Sequence, residues 1–318
     1  MKVVVTGGSG FVGANLCREL TRRRFEVVVL DDLSTGLRTN LDGLDVDLRV
    51  ASVLDATAVA DALRDADSVV HLAAVPSVAR SLNNPRRSHD ANATGTLSVL
   101  EAARAAGTHV VVASSSSVYG RNPTLPRSEE LLCQPASPYA VSKLAAESYT
   151  LAYRACFGLD CLAFRFFNIF GPLQRCDHAY AAVLPKFIKA AMRGESLSVH
   201  GDGEQSRDFT FVDTAVAVLA DCVTRRVTSD DPVNLAFGTR TSVNEAVAVL
   251  SELFGRELPV THGPPRPGDV RHSQASNAAL RRLFPAITPV PFRTGVARTV
   301  EWMAGAADRP VSAPMVPA

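Results

Sequence analysis

The chain is short of the features that would place it in several large functional classes. It has almost no charge of one sign in excess, with 33 Lys and Arg against 32 Asp and Glu. No basic face therefore advertises nucleic acid. It has no long apolar run, since stretches such as Val27–Leu30 are far too short to span a bilayer. A strand-like run follows Met1 almost at once, so no signal peptide is expected. Its six cysteines, at 17, 133, 156, 161, 176 and 222, form no CxxC and no pairing with His at metal spacing. They read as reduced thiols of a cytoplasmic protein, without metal.

What is present is an α/β rhythm. "KVVVTG" (2–7) reads as a buried strand, followed by a helix over Phe11–Arg23 with Leu16 and Leu20 on one face. Further strands are expected at Glu26–Leu30, Ser68–Leu72, His109–Ser114, Cys161–Arg165 and within 231–238, with helices near 57–64, 90–105, 138–156 and 243–254. Short apolar strands alternating with helices predict a doubly wound parallel (Rossmann) sheet covered on both faces. After Phe167 glycine and proline become frequent and the rhythm breaks. The expected division is a dinucleotide-binding unit over 1–166 and 210–238, and a smaller α/β substrate unit over 167–209 and 239–305. Residues 306–318, rich in Pro and Ala, read as a frayed tail.

"VTGGSGFVG" (5–13) sets Gly7, Gly10 and Gly13 between the first strand and the first helix. Glycine is needed there for a tight turn, for close approach of backbone to a diphosphate, and for packing of helix on strand. Asp31, 18 residues past Gly13, ends the second strand. An acid at that place accepts ribose hydroxyls and repels a 2′-phosphate, which favours NAD. Arg38 is the residue that would instead admit NADP.

"ASSSSVYGRN" (113–122) puts four serines after an apolar run. Alone it is a loop. At the carboxyl end of a doubly wound strand it faces the ligand crevice. Tyr139 and Lys143 lie four apart on a helix opened by Ser137–Pro138, so they share a face. A phenol ionises near pH 10. A neighbouring ammonium and an oxidised nicotinamide are expected to bring it toward a useful base.

With "HLAA" (71–74), "NATGT" (92–96) and "YAVSK" (139–143), the chain resembles the extended short-chain dehydrogenase/reductase family, and within it the nucleotide-sugar 4-epimerases along nearly its whole length. The resemblance implies catalysis by Ser115, Tyr139 and Lys143. It implies a cofactor site that also takes in Phe11, Val12, Asp32, Ser34, Thr35, Gly36, Ser52, Val53, Leu72, Ala73, Ala74, Asn92, Ser114 and Phe166. Asn92 reads equally well as purely structural. Ser52 departs from the family's "GDxxD" segment, whose Asp contacts adenine.

Ser116 and Ser117 stand where nucleotide-sugar dehydratases carry an Asp–Glu pair, and two hydroxyls cannot supply the base that elimination needs. The implied chemistry is therefore redox without dehydration. Tyr139 takes the 4-hydroxyl proton as carbon 4 gives hydride to NAD, and return of the hydride to the other face inverts the carbon.

In the substrate half, Asn168, Arg207 and Arg266 match family residues that hold the nucleotide diphosphate, a task suited to guanidinium. Ser77, Arg80, Ser115, Ser116, Ser117, Val183, Leu184, Lys186, Val199, His200 and Asp269 complete the implied UDP-sugar contacts. Ser273 matches a gatekeeper that is Tyr in epimerases restricted to plain hexoses, so a 2-acetamido group is expected to fit. The implied assembly is a homodimer. Alternatives are a TDP-sugar epimerase, a keto-sugar reductase, or a cofactor sensor without catalysis.

Overall fold

Runs of valine build the centre of this protein. The computed structural model describes residues 1–177, 181–265 and 270–307. Its strands are β1 (Lys2–Thr6), β2 (Glu26–Asp31), β3 (Asp47–Val50), β4 (Ser68–His71), β5 (His109–Ser115), β6 (Cys161–Phe166), β7 (Asn168–Phe170), β8 (Leu197–His200), β9 (Ser206–Arg207), β10 (Phe209–Phe211), β11 (Val233–Leu235), β12 (Thr241–Ser242) and β13 (Val260–Gly263). Its helices are α1 (Phe11–Arg22), α2 (Ala56–Leu63), α3 (Val78–Asn83), α4 (Pro85–His89), α5 (Gly95–Ala106), α6 (Pro138–Phe157), α7 (Val183–Arg193), α8 (Val212–Arg225), α9 (Val243–Phe254), α10 (Ala278–Leu283) and α11 (Phe292–Ala307).

Seven strands form one sheet in the order β3-β2-β1-β4-β5-β6-β11. Every pairing in it is parallel, with Val3 opposite both Val27 and Ser68. This is the expected Rossmann sheet, with its order reversing between β1 and β4, where such folds place a ligand crevice. Side chains alternate across the sheet. Val3, Val5, Val27 and Val29 pack with Leu16 and Leu20 of α1. Val4, Val28 and Leu30 pack with Val59, Leu63, Val99 and Leu100 of α2 and α5. Both faces are covered, which is why these strands read as unbroken apolar runs.

The remaining strands pair two by two: β7 with β10, β9 with β12, and β8 with β13. Helices α7, α9 and α11 pack around them, and Leu184, Phe187 and Leu197 continue the apolar core that contains Leu16 and Phe164.

Several elements depart from the sequence expectation. Strand β3, with sequence DLRV, is half exposed at the sheet edge, so it carries charges and gives no apolar signal. The helix expected from 90 begins as a π-helical turn over Asp90–Thr94 and becomes regular only at Gly95. Residues 212–225, expected within a return to the sheet, form a buried helix, α8, against α1. Residues 308–318, most of the expected tail, lie outside the described residues, and α11 runs to Ala307.

Candidate active site

A cleft of about 900 Å³ opens where β1, β2, β4 and β5 end. Helix α1 starts on it at Gly10, with no capping side chain and no acid in its first turn. An uncapped helix N-terminus presents unpaired N–H groups and a positive dipole end. Gly7 holds φ at 69°, and a Cβ there would lie 2.7 Å from the Ala73 nitrogen. A Cβ on Gly13 would lie 2.3 Å from the Gly7 carbonyl oxygen. Side chains are thus excluded from a cradle of bare backbone, which suits a dinucleotide diphosphate.

Asp31 closes the far side of that cradle. Its Oδ2 accepts from Ser9 N at 2.9 Å and its Oδ1 from Leu33 N at 2.8 Å. Burial raises its pKa, and these two bonds oppose the rise. Each oxygen keeps a lone pair, so ribose hydroxyls can still be accepted. Cradle and acid together fit NAD.

Of the expected cofactor residues, Gly7, Gly10, Phe11, Val12, Gly13, Asp31, Asp32, Ser34, Thr35, Gly36, Ser52, Val53, Leu72, Ala73, Ala74, Ser114, Tyr139, Lys143 and Phe166 all line the cleft. Asn92 does not line it. It is fully buried, donating to Ser142 Oγ at 2.9 Å and Val75 O at 3.2 Å, and accepting from Val75 N at 2.8 Å. The π-helical turn aims this side chain inward, where it ties the 75–77 wall to α6. Ser114 lines the cleft, but its hydroxyl is committed to Glu147 at 2.6 Å.

Ser137 caps α6 by accepting from Ala140 N, and Pro138 follows at the first helical position, so the helix begins as expected. Lys143 is buried and donates Nζ to the Ala113 carbonyl at 2.8 Å; burial lowers its pKa to about 8. Ser115 Oγ accepts from Ser117 N at 3.1 Å and Ser117 Oγ at 2.9 Å. Burial holds the Tyr139 phenol above its ordinary pKa, and a hydrogen bond with Ser115 pulls the other way. The opposing pull comes from Ser115 and not from the Lys143 ammonium, so the expected lowering by the ammonium is not found in the protein alone.

His71 of "HLAA" had no assigned role. It is buried between Thr6 Oγ1, 2.7 Å from Nδ1, and Thr96 Oγ1, 3.0 Å from Nε2. Thr96 donates its own proton to Asn92 O at 2.6 Å. It must therefore accept from Nε2–H, leaving Nδ1 to accept from Thr6. Burial, with the charge of Lys143 adding to it, lowers the ring's pKa to about 3.

The expected substrate residues scatter more widely. Ser77, Arg80 and Ser115 line the cleft, and Ser77 holds φ at 94°, unusual for a residue other than glycine. Ser116, Ser117, Asn168, Val183, Lys186, His200, Arg207 and Ser273 are not among the residues lining it. Leu184 and Val199 are each 1% exposed, with their side chains packed in the apolar core. Asn168 Nδ2 donates to Asp208 O at 3.2 Å. His200 Nδ1 lies 3.3 Å from Pro264 O. Arg207 Nη1 donates to Ser206 O at 2.9 Å and Arg271 O at 3.3 Å, and Ser273 N donates to Ser206 O at 3.0 Å. Arg207 and Ser273 thus share one neighbourhood around β9. Arg266 and Asp269 lie outside the described residues.

The cleft also gathers residues that sequence reasoning passed over: Pro76, Arg86, Arg87, Gln174 and Arg175. The adjacent arginines after Asn84–Pro85 were a readable signal; the others had none.

Residues 3–236 match the model of the NAD dependent epimerase/dehydratase family. The UDP-glucose 4-epimerase of Mycolicibacterium smegmatis is 35% identical over 315 residues, covering 95% of this chain and 98% of that protein. Among solved structures, the UDP-N-acetylglucosamine 4-epimerase of Methanobrevibacter ruminantium, in complex with UDP-N-acetylmuramic acid, is similar with a TM-score of 0.91 and 34% identity, covering 96% of this chain and 98% of that one. The UDP-glucose 4-epimerase of Thermus thermophilus, in complex with NAD, has a TM-score of 0.86 and 32% identity, covering 96% and 100%. The sheet, the glycine cradle and the family match converge: this chain is an enzyme of the NAD-dependent epimerase/dehydratase family, in the extended short-chain dehydrogenase/reductase group.

Proposed function

We propose that this protein is a 4-epimerase of UDP-sugars, interconverting UDP-GlcNAc with UDP-GalNAc and also UDP-glucose with UDP-galactose. The observation that carries the reading is the wall of Ser115, Tyr139 and Lys143 lining the cleft, with hydroxyls at 116 and 117 where elimination would need carboxyl groups. The similarity to UDP-sugar 4-epimerases supports the same substrate class.

NAD, when bound, would supply a reversible hydride acceptor, taking the hydride of carbon 4 and giving it back. Tyr139 Oη takes the proton of the 4-hydroxyl and later returns it. Ser115, which acts on the Tyr139 phenol against the effect of burial, donates to the phenolate and holds the reacting hydroxyl in line. Lys143, tied to Ala113 O, sets a positive charge beneath the wall. The uncapped start of α1 and Asp31 bind the dinucleotide. Residues 167–209 and 239–305 serve as the sugar-nucleotide half, with Asn168, Arg207 and Arg266 on the diphosphate. The keto sugar turns while the nucleotide stays held, and carbon 4 leaves inverted.

The proposed setting is a cytoplasmic homodimer. Val141 and Tyr149 on α6 and Val78 and Leu82 on α3 are exposed apolar residues on contacting helices, and a second copy would cover them.

Incubating the purified protein with UDP- and TDP-linked hexoses and N-acetylhexosamines, and resolving the products, tests the reading. Interconversion of C4 epimers on UDP carriers is expected. Net oxidation, a decarboxylated sugar or a 4-keto-6-deoxy product in its place would show the reading to be wrong.

A further inference from the structure

Behind the Ser115–Tyr139 wall lies a buried ion pair that the reaction as proposed does not use. Tyr139, Lys143 and Glu147 recur every four residues along α6 and so fall on one face. Glu147 is 2% exposed and Arg165, on β6, is 4% exposed. Arg165 Nη2 lies 2.7 Å from Glu147 Oε1 and Nε lies 3.0 Å from Oε2, a fork-to-fork pair. Ser114 of β5 donates to the same Oε2 at 2.6 Å.

The pair reaches further. Arg165 Nη1 donates to Glu129 O at 3.1 Å, and Nη2 lies 3.4 Å from Cys133 Sγ. Its guanidinium sits 4.7 Å over the ring of Tyr119, whose hydroxyl donates to Asn234 Oδ1 of β11 at 2.7 Å. Arg127 stacks on the same ring at 5.4 Å. Tyr119 ends the helical turn over 116–119 that follows Ser115. Strands β5, β6 and β11, helix α6 and the serine turn are thus fastened to one another next to Ser115.

Stability is a poor reason for such a pair. Removing two charges from water offsets most of their attraction, and apolar replacements of similar volume are often neutral or better. What the pair does provide is a fixed geometry. Lys143 holds α6 to residue 113 of β5, and Glu147 holds it to residue 114, immediately before Ser115, which lines the cleft together with Tyr139.

We propose that Glu147 and Arg165 are positioning residues, which lock α6 to β5 and β6 so that Tyr139 Oη and Ser115 Oγ stay in hydrogen-bonding register. The proposal rests on the epimerase reading above. A displacement of about 1 Å in a catalytic pair can cost a factor on the order of 10² in rate.

Three variants test it: Ser114→Ala, which removes one hydroxyl; Glu147→Gln, which removes the charge; and the double Glu147→Leu/Arg165→Met, which replaces the pair by apolar bulk. NAD content, Tm, kcat, KM and the midpoint of the Tyr139 phenolate signal in ultraviolet difference spectra, referenced to Tyr139→Phe, are measured on each. The expected result is retained NAD and KM, with kcat lower by about tenfold in Ser114→Ala and about a hundredfold in the double variant. The phenolate midpoint moves upward, because Ser115 no longer stabilises the anion. A double variant with wild-type kcat and midpoint would overturn the proposal, since the pair would then be mere scaffolding. If that variant does not fold, Ser114→Ala decides: an unchanged kcat and midpoint overturns it. Should the wild type epimerise no sugar, the functional reading fails, and the phenolate midpoint alone still supports or overturns the positioning role.

Discussion

Lys143 Nζ donates to the main-chain carbonyl of Ala113 at 2.8 Å, two residues before Ser115 on the same strand. One ammonium thus fastens the helix that carries Tyr139 to the strand that carries its serine partner. Lys143→Ala loses both the tie and the charge. Turnover should fall by a factor on the order of 10² or more, as it should in Tyr139→Phe, where the proposed proton acceptor is gone. Ser115→Ala should cost less, because it removes an orienting hydrogen bond. Initial rates with a UDP-hexose check all three, and near-normal turnover in Tyr139→Phe would refute the assignment.

The glycine cradle leads to a cofactor prediction. A Cβ at residue 13 would meet the Gly7 carbonyl oxygen at 2.3 Å, and backbone must move to admit it. Wild-type protein should carry NAD through gel filtration, since Asp31 disfavours a 2′-phosphate and the proposed cycle returns the cofactor each turnover. Gly13→Ala should emerge depleted of it. Denaturation and identification of the released nucleotide is the measurement, and release of NADP from the wild type would contradict the Asp31 argument.

His71 sets an acid limit on stability. Its ordinary pKa of 6.5 falls to about 3 in the folded protein through burial, with Lys143 adding to the fall. Between those values the unfolded chain binds a proton that the buried ring refuses, so stability declines as pH drops through that window. The opposite edge belongs to Lys143, lowered from 10.5 to about 8, whose burial cost is relieved as pH rises between those values. His71→Gln should flatten the acid limb of a plot of Tm against pH, leaving the contribution of His109, also lowered mainly by burial. Parallel acid limbs in both proteins would count against a neutral His71.

Ser273 is the proposed filter for the 2-acetamido group. It is 9% exposed, so a tyrosyl ring there overfills the space around it. Overpacking costs about 1–3 kcal/mol, a tenfold to hundredfold loss of kcat/KM for UDP-GlcNAc in Ser273→Tyr. UDP-glucose, with only a hydroxyl at carbon 2, should lose much less. An equal fall for both sugars would remove Ser273 from the specificity argument.

The sequence by itself determined the parallel sheet, the cofactor cradle and the Tyr139–Lys143 face. Each rests on local rules: valine runs buried on both sides, glycines at strand-to-helix turns, and four-residue spacing on a capped helix. Strand β3 escaped because an edge strand can carry charge and lacks the apolar signal. Only the tertiary structure decided what Asn92, Ser114 and His71 do. Their partners lie 17, 33 and 65 residues away, and no local pattern records a hydrogen bond across such a distance. It also decided which way the pKa values of Tyr139 and Lys143 move. Spacing shows that two groups meet, but the pKa of each depends on how much water the surrounding layers exclude.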